Sequence, residues 1–129
     1  DVLMNSAKLM AEARNARKCA YAPYSGFQVG AALLTSEGRI FTGANVENVS
    51  YGLTVCAERI AVFKAVTEGV RDFTSIAVAS SGEGFVYPCG ACLQVLAEFA
   101  PGIKILVSNS AEEIKEYNLA ELLPQIFKL

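Results

Sequence analysis

The sequence predicts an α/β fold, a three-layer α/β/α sandwich around a mixed five-stranded sheet. Two observations predict it. Near the start, two apolar strand patterns flank a four-residue turn, the pattern of an antiparallel hairpin. Further on, strand and helix patterns alternate, which implies right-handed crossovers and parallel pairing. The chain has 129 residues, so residues 1–129 read as one domain.

The elements follow in order. Residues 5–21 read as an amphipathic helix, with Leu9, Ala13, Ala16 and Ala20 at helical spacing and Lys8, Glu12, Arg14 and Lys18 facing water. Pro23 marks its end, because the residue before a proline avoids helical angles. Cys19 falls in this helix and reads as small apolar filler. Residues 27–35 form a buried strand, Ser36-Glu37-Gly38-Arg39 a turn, and 40–46 the antiparallel partner. The polar stretch from Asn45 to Gly52 is a loop at the strand's end, a common place for substrate contacts. Residues 55–68 return to helix, with Gly69 as a C-terminal cap. That helix is apolar nearly all round, so it is central or shared with a neighbour. A strand at 74–80, a loop at Ser81-Gly82-Glu83-Gly84 and a helix at 89–99 follow. Pro101-Gly102 stops that helix; 103–107 is a strand, 114–117 a weak one, and 119–123 a helical turn.

Composition narrows the function. Hydrophobic residues make up 53% and mean hydropathy is +0.35, more than a small interior hides, so another subunit is expected to cover apolar surface. A formal charge of −2 with no dense basic run argues against a nucleic-acid partner. No stretch reaches the roughly 18 apolar residues of a membrane span, and the start shows no basic, apolar leader. The expected location is the cytoplasm, where clustered cysteines bind metal or do chemistry more often than they form disulfides.

Three of the four cysteines cluster in two segments, Cys56-Ala57-Glu58-Arg59 and Pro88-Cys89-Gly90-Ala91-Cys92. Both segments open helices, where free N–H groups and the helix dipole favour thiolates. Cys56, Cys89 and Cys92 are three ligands for zinc, leaving a fourth tetrahedral position for water, as in catalytic rather than structural sites. Glu58, two residues past Cys56, is placed to exchange a proton with that water. Arg59 can offset the negative charge of three sulfurs by hydrogen bonding to one of them. Two other readings stay open. Pro-Cys-Gly-Ala-Cys before a helix also suits a thiol redox motif, and Cys19 could complete a structural four-thiolate zinc site.

The two cysteine segments resemble those of the zinc-dependent cytidine deaminases, whose signature is established. The resemblance extends to Tyr21-Ala22-Pro23-Tyr24-Ser25, Phe27-Gln28-Val29-Gly30-Ala31-Ala32, Asn45-Val46-Glu47-Asn48 and Glu121-Leu122-Leu123-Pro124, nearly the whole chain. The short length and three cysteines are similar to the homotetrameric branch. The resemblance implies a cytidine deaminase-like fold and one Zn2+ per subunit. It implies hydrolytic deamination of cytidine and deoxycytidine to uridine and deoxyuridine, a step of pyrimidine salvage, by zinc-bound hydroxide. Cys56, Cys89 and Cys92 would hold the ion, with Glu58 as proton shuttle. Asn45 and Glu47 would bind ribose hydroxyls, and Phe27 would pack on the pyrimidine. Tyr51 and the Ala57 backbone would line the pocket. Phe127 would close over the base of a neighbouring subunit, giving a homotetramer with shared sites. A deaminase of another aminopyrimidine nucleoside, such as blasticidin S, is the alternative, although in that branch the Asn-x-Glu loop differs.

Overall fold

The hairpin forms where the turn residues place it. In the computed structural model, which describes residues 5–129, β1 (Val29–Thr35) and β2 (Ile40–Ala44) run antiparallel, with Gly30 opposite Ala44 and Leu34 opposite Ile40. Gly38 closes the turn at φ 88°, a backbone angle that side chains resist. Residues 1–4, where the sequence was read as lacking a leader, lie outside the described residues.

The sheet has the order β2-β1-β3-β4-β5, with β3 spanning Phe73–Ser80, β4 Lys104–Ser108 and β5 Ile114–Asn118. Among the strands of the sheet, β3 and β4 pair parallel, whereas β1–β3 and β4–β5 are antiparallel. This narrows the expectation of parallel pairing through the middle of the chain. β2 and β3 do point the same way, joined by the crossover helix α2 (Ala57–Thr67), but β1 lies between them. The hairpin occupies one edge of β1, and the returning chain takes the other.

Both faces of the sheet are covered. Alternate residues of a strand point to opposite sides, and β1 divides accordingly. Ala32 and Leu34 pack with Leu9, Met10 and Ala13 of α1 (Ser6–Ala16). Ala31 and Leu33 join Ala57, Ala61, Leu93 and Leu96, from α2 and from α3 (Gly90–Phe99). The three layers are thus α1, the sheet, and the α2–α3 pair. A short α4 (Leu119–Leu122) is held by a capping box between Asn118 and Glu121.

The first helix is shorter than its periodicity predicts. It ends at Ala16, tightens into a 3-10 turn at Arg17–Cys19, and is extended by Ala20. Pro23 is not what stops it. Tyr21 N–H donates to the carbonyl of Asn45, and Glu47 N–H donates to that of Tyr21, so the backbone here is recruited to the loop after β2. Cys19 is exposed, which corrects its reading as core filler.

Gly43 lets α2 lie against β2. A Cβ on it would stand 2.4 Å from the Ala57 carbonyl oxygen and 2.6 Å from the Ala61 nitrogen, both backbone atoms. Gly43→Ala is expected to cost about 1–3 kcal/mol of stability, the usual range for overpacking. A denaturant midpoint equal to that of the wild type would contradict this close approach.

Candidate active site

α2 and α3 lie on one face of the sheet and begin side by side. Cys56 and Cys89 are their N-cap residues, both with extended backbone, and Cys92 sits in the first turn of α3. The sulfurs of Cys56, Cys89 and Cys92 all lie within 4.8 Å of one another, and those of Cys89 and Cys92 are 3.6 Å apart. Zinc–sulfur bonds of about 2.3 Å at tetrahedral angles put sulfurs about 3.8 Å apart, so the cluster fits the ion. All four cysteines are free thiols, and Cys19 is not in the cluster. The four-thiolate structural site is therefore not assembled.

Charge within the cluster is already organised for a cation. The neighbouring Cys92 thiol, joined by contacts from Arg59, holds Cys56 well below the ordinary thiol range. Cys92 is pushed up by its closeness to Cys56 and by burial. Arg59 Nη2 lies 3.5 Å from the Cys56 sulfur, and the guanidinium pKa is raised by that contact. This is the sulfur-directed contact expected for Arg59.

Glu58, the second residue of α2, is buried at 4% exposure. Its pKa is raised to about 7, chiefly because burial penalises the carboxylate, with the Cys56 charge adding to the effect. Its helix also starts with Ala57, wholly buried beside it. A carboxyl near 7 can hold and release a proton under neutral conditions.

A second group of residues lies around the loop after β2. Asn45 Oδ1 accepts from Val29 N–H at 2.8 Å, and its Nδ2 donates to the Phe27 carbonyl at 2.9 Å. Phe27 and Gln28 fall outside β1, in the loop that Asn45 secures, and the Phe27 ring is partly exposed rather than core. Glu47 Oε1 accepts from the N–H groups of Tyr24 (3.0 Å) and Ser25 (3.1 Å), while Oε2 accepts from the Ser25 hydroxyl. Those bonds, the Ser25 hydroxyl foremost, hold the carboxyl below its ordinary range. Tyr51 stands at 76% exposure, edge-on to Tyr24, and shares a cavity of about 250 Å³ with Ser25, Glu47 and Thr54.

Two contributions were not visible in the sequence. The Ser25 hydroxyl partners Glu47, although nothing in the spacing of the two residues announces it. The weak strand β5 steadies the segment that delivers Cys89. Tyr117 packs edge-on to Tyr87 with ring centroids 5.6 Å apart, and Lys115 Nζ lies 4.3 Å from the Phe85 ring centre. Phe127, in the C-terminal tail, bonds through its backbone to Gln94 of α3.

The class that this fold and centre define is a zinc-binding α/β protein with an acid at hand for proton transfer. Comparison with known proteins narrows it. Residues 4–108 match the model of the cytidine and deoxycytidylate deaminase zinc-binding region. The chain belongs to this family. It is 51% identical over 125 residues to the cytidine deaminase of Sporosarcina psychrophila, covering 96% of this chain and 92% of that one. It is 52% identical over 125 residues to the cytidine deaminase of Halalkalibacterium halodurans, covering 96% and 95%. The crystal structure of the cytidine deaminase of Burkholderia pseudomallei superimposes with a TM-score of 0.92 at 45% identity, covering 96% of this chain and all of that one (100%). Zinc is thus the family's cation, and the Cys56, Cys89 and Cys92 cluster suits it.

Proposed function

We propose that this chain hydrolyses cytidine and deoxycytidine to the uracil nucleosides and ammonia. The observation that carries the reading is the buried Glu58 carboxyl beside a three-thiolate cluster that fits zinc. When bound, zinc acidifies a water molecule so that a nucleophile is available near neutral pH. Glu58 takes a proton from the attacking water and gives it to ring N3 as the new C4–O bond forms. It then carries the second proton to the exocyclic nitrogen, which leaves as ammonia when the C4–N bond breaks. Arg59, against the Cys56 sulfur, stabilises the thiolate charge throughout.

Hydrogen-bond capacity supports roles for Asn45 and Glu47 at the ribose. A carboxylate offers about four acceptor sites, and the three bonds from Tyr24 and Ser25 leave Glu47 one for a hydroxyl. Asn45 likewise keeps one N–H beyond its bond to the Phe27 carbonyl. An ionised Glu47 repels phosphate, which favours nucleosides over cytidylate. Phe27 packs on the pyrimidine, with Tyr51 and the Ala57 backbone as further walls.

The oligomer belongs to the same reading. Tyr24, Val49, Tyr51, Leu53, Phe63 and Phe127 are exposed, more large apolar side chains than an isolated domain usually presents. We read residues 1–129 as one domain of a homotetramer, with Phe127 closing over the base of a neighbouring subunit. Among the described residues no helix is long and apolar enough to cross a membrane. We read its compartment as the reducing cytoplasm, which free thiols suit.

An ultraviolet assay with cytidine, deoxycytidine, cytidylate and blasticidin S tests the substrate. Turnover of the first two is expected, with loss on chelation and recovery on adding zinc. Turnover that survives complete removal of metal overturns the mechanism, and blasticidin S as the sole substrate overturns the assignment.

A further inference from the structure

The C-terminal tail has one polar attachment to the metal-bearing helix, and it is made by a side chain to a backbone. Gln94 Nε2 donates to the Phe127 carbonyl at 3.1 Å, and Gln94 Oε1 accepts from the Phe127 N–H at 3.2 Å. One side-chain amide thereby supplies the donor and acceptor that a neighbouring strand would offer. Ile126, next to it, is partly buried against the core on the α2–α3 face, while the Phe127 ring is 71% exposed. The tail from Ile126 to Leu129 forms one wall of an open cleft of about 430 Å³ whose other wall includes Gln94, Ala97 and Pro101. With open space there, packing alone does not define where residue 127 sits. The amide pair does, and Gln94 stands two residues beyond Cys92 on α3.

We propose that Gln94 is a positioning residue for Phe127: its amide fixes the backbone of the tail against α3, so that the exposed aromatic ring is presented in a constant place for the neighbouring subunit. The proposal rests on the reading above that Phe127 closes over a neighbouring subunit's base. A fixed backbone limits the ordering that substrate binding would otherwise require of the tail. Loss of the clamp therefore weakens binding while leaving the Glu58 proton transfers intact.

The test uses the full-length zinc protein and the variants Gln94→Met, Phe127→Ala and the pair combined. Methionine keeps the length of the side chain and loses both bonds. Gln94→Met is expected to raise KM for cytidine roughly tenfold, the scale of two net hydrogen bonds, with kcat and zinc content near wild type. Combined with Phe127→Ala it should add nothing further, because both changes remove one interaction. Amide hydrogen exchange at Phe127 should be slow in the wild type and fast in Gln94→Met. If Phe127→Ala keeps the wild-type KM, the reading of Phe127 falls. If Phe127→Ala raises KM and Gln94→Met does not, or if their effects multiply, Gln94 falls alone. An unprotected Phe127 amide in the wild-type protein overturns the clamp without any variant.

Discussion

Glu58→Gln retains zinc and loses turnover by roughly 10²- to 10⁴-fold, the span attributed to general acid–base groups. Glutamine has the shape of the acid but cannot carry a proton between water, N3 and the leaving nitrogen. The cluster suited to the metal is made of three sulfurs and does not include Glu58, so zinc content should not change. A pH-dependent signature accompanies the loss in the metal-free protein. The folded-state pKa of Glu58 is raised from 4.5 to about 7, so ionisation opposes folding. That cost is absent below about pH 4.5, grows as pH rises, and is complete above about 7, reaching on the order of 3 kcal/mol. Metal-free Glu58→Gln should therefore exceed metal-free wild type in stability at pH 8 and match it near pH 4. Denaturant titrations at the two pH values check this, and kinetics check the first part. Near wild-type kcat would remove Glu58 from the mechanism, and equal stability at both pH values would mean the carboxyl is not buried in solution.

Cys92→Ser is the second large effect. Cys92 is fully buried in the first turn of α3, and its sulfur faces those of Cys56 and Cys89. A hydroxyl is a poor exchange for a thiolate at zinc, and two remaining sulfurs no longer close the site. Zinc affinity should fall by more than the roughly 10- to 100-fold that loss of an outer hydrogen-bonding partner costs. Activity should disappear with it. The measurement is zinc per chain after dialysis against a mild chelator, alongside the melting temperature with and without added zinc. Wild-type protein should melt higher with zinc, since an ion that binds only the folded state stabilises it. A Cys92→Ser protein that kept one zinc ion per chain would exclude Cys92 as a ligand.

The metal centre was the most legible part of the chain because its chemistry is local. Cysteines at the starts of helices, with Glu58 and Arg59 in the same turn, can be read from spacing and helix boundaries. The residues proposed for the ribose were less legible. The loop from Asn45 to Gly52 reads as a common place for substrate contacts, but the resemblance alone singles out Asn45 and Glu47 within it. In the folded chain both are tied into the backbone around Tyr24 to Val29, twenty or so residues away in sequence. The contacts of Ser25 and Gln94 are illegible for the same reason: their partners are distant along the chain. Cys19 shows the reverse error. A lone cysteine in a helix is usually small apolar filler, but pairing between Tyr21 and the Asn45–Glu47 backbone draws the chain away from the helix first.

Hydrophobic period, turn residues and paired cysteine segments, all properties of neighbouring residues, were enough to specify the elements, their layering and the cation site. Strand order, the parallel seam between β3 and β4, the early end of α1 and the side-chain bonds to distant backbone were settled only in the packed structure. Each depends on which backbone groups find partners once the sheet has formed, and that competition is decided in space rather than along the chain.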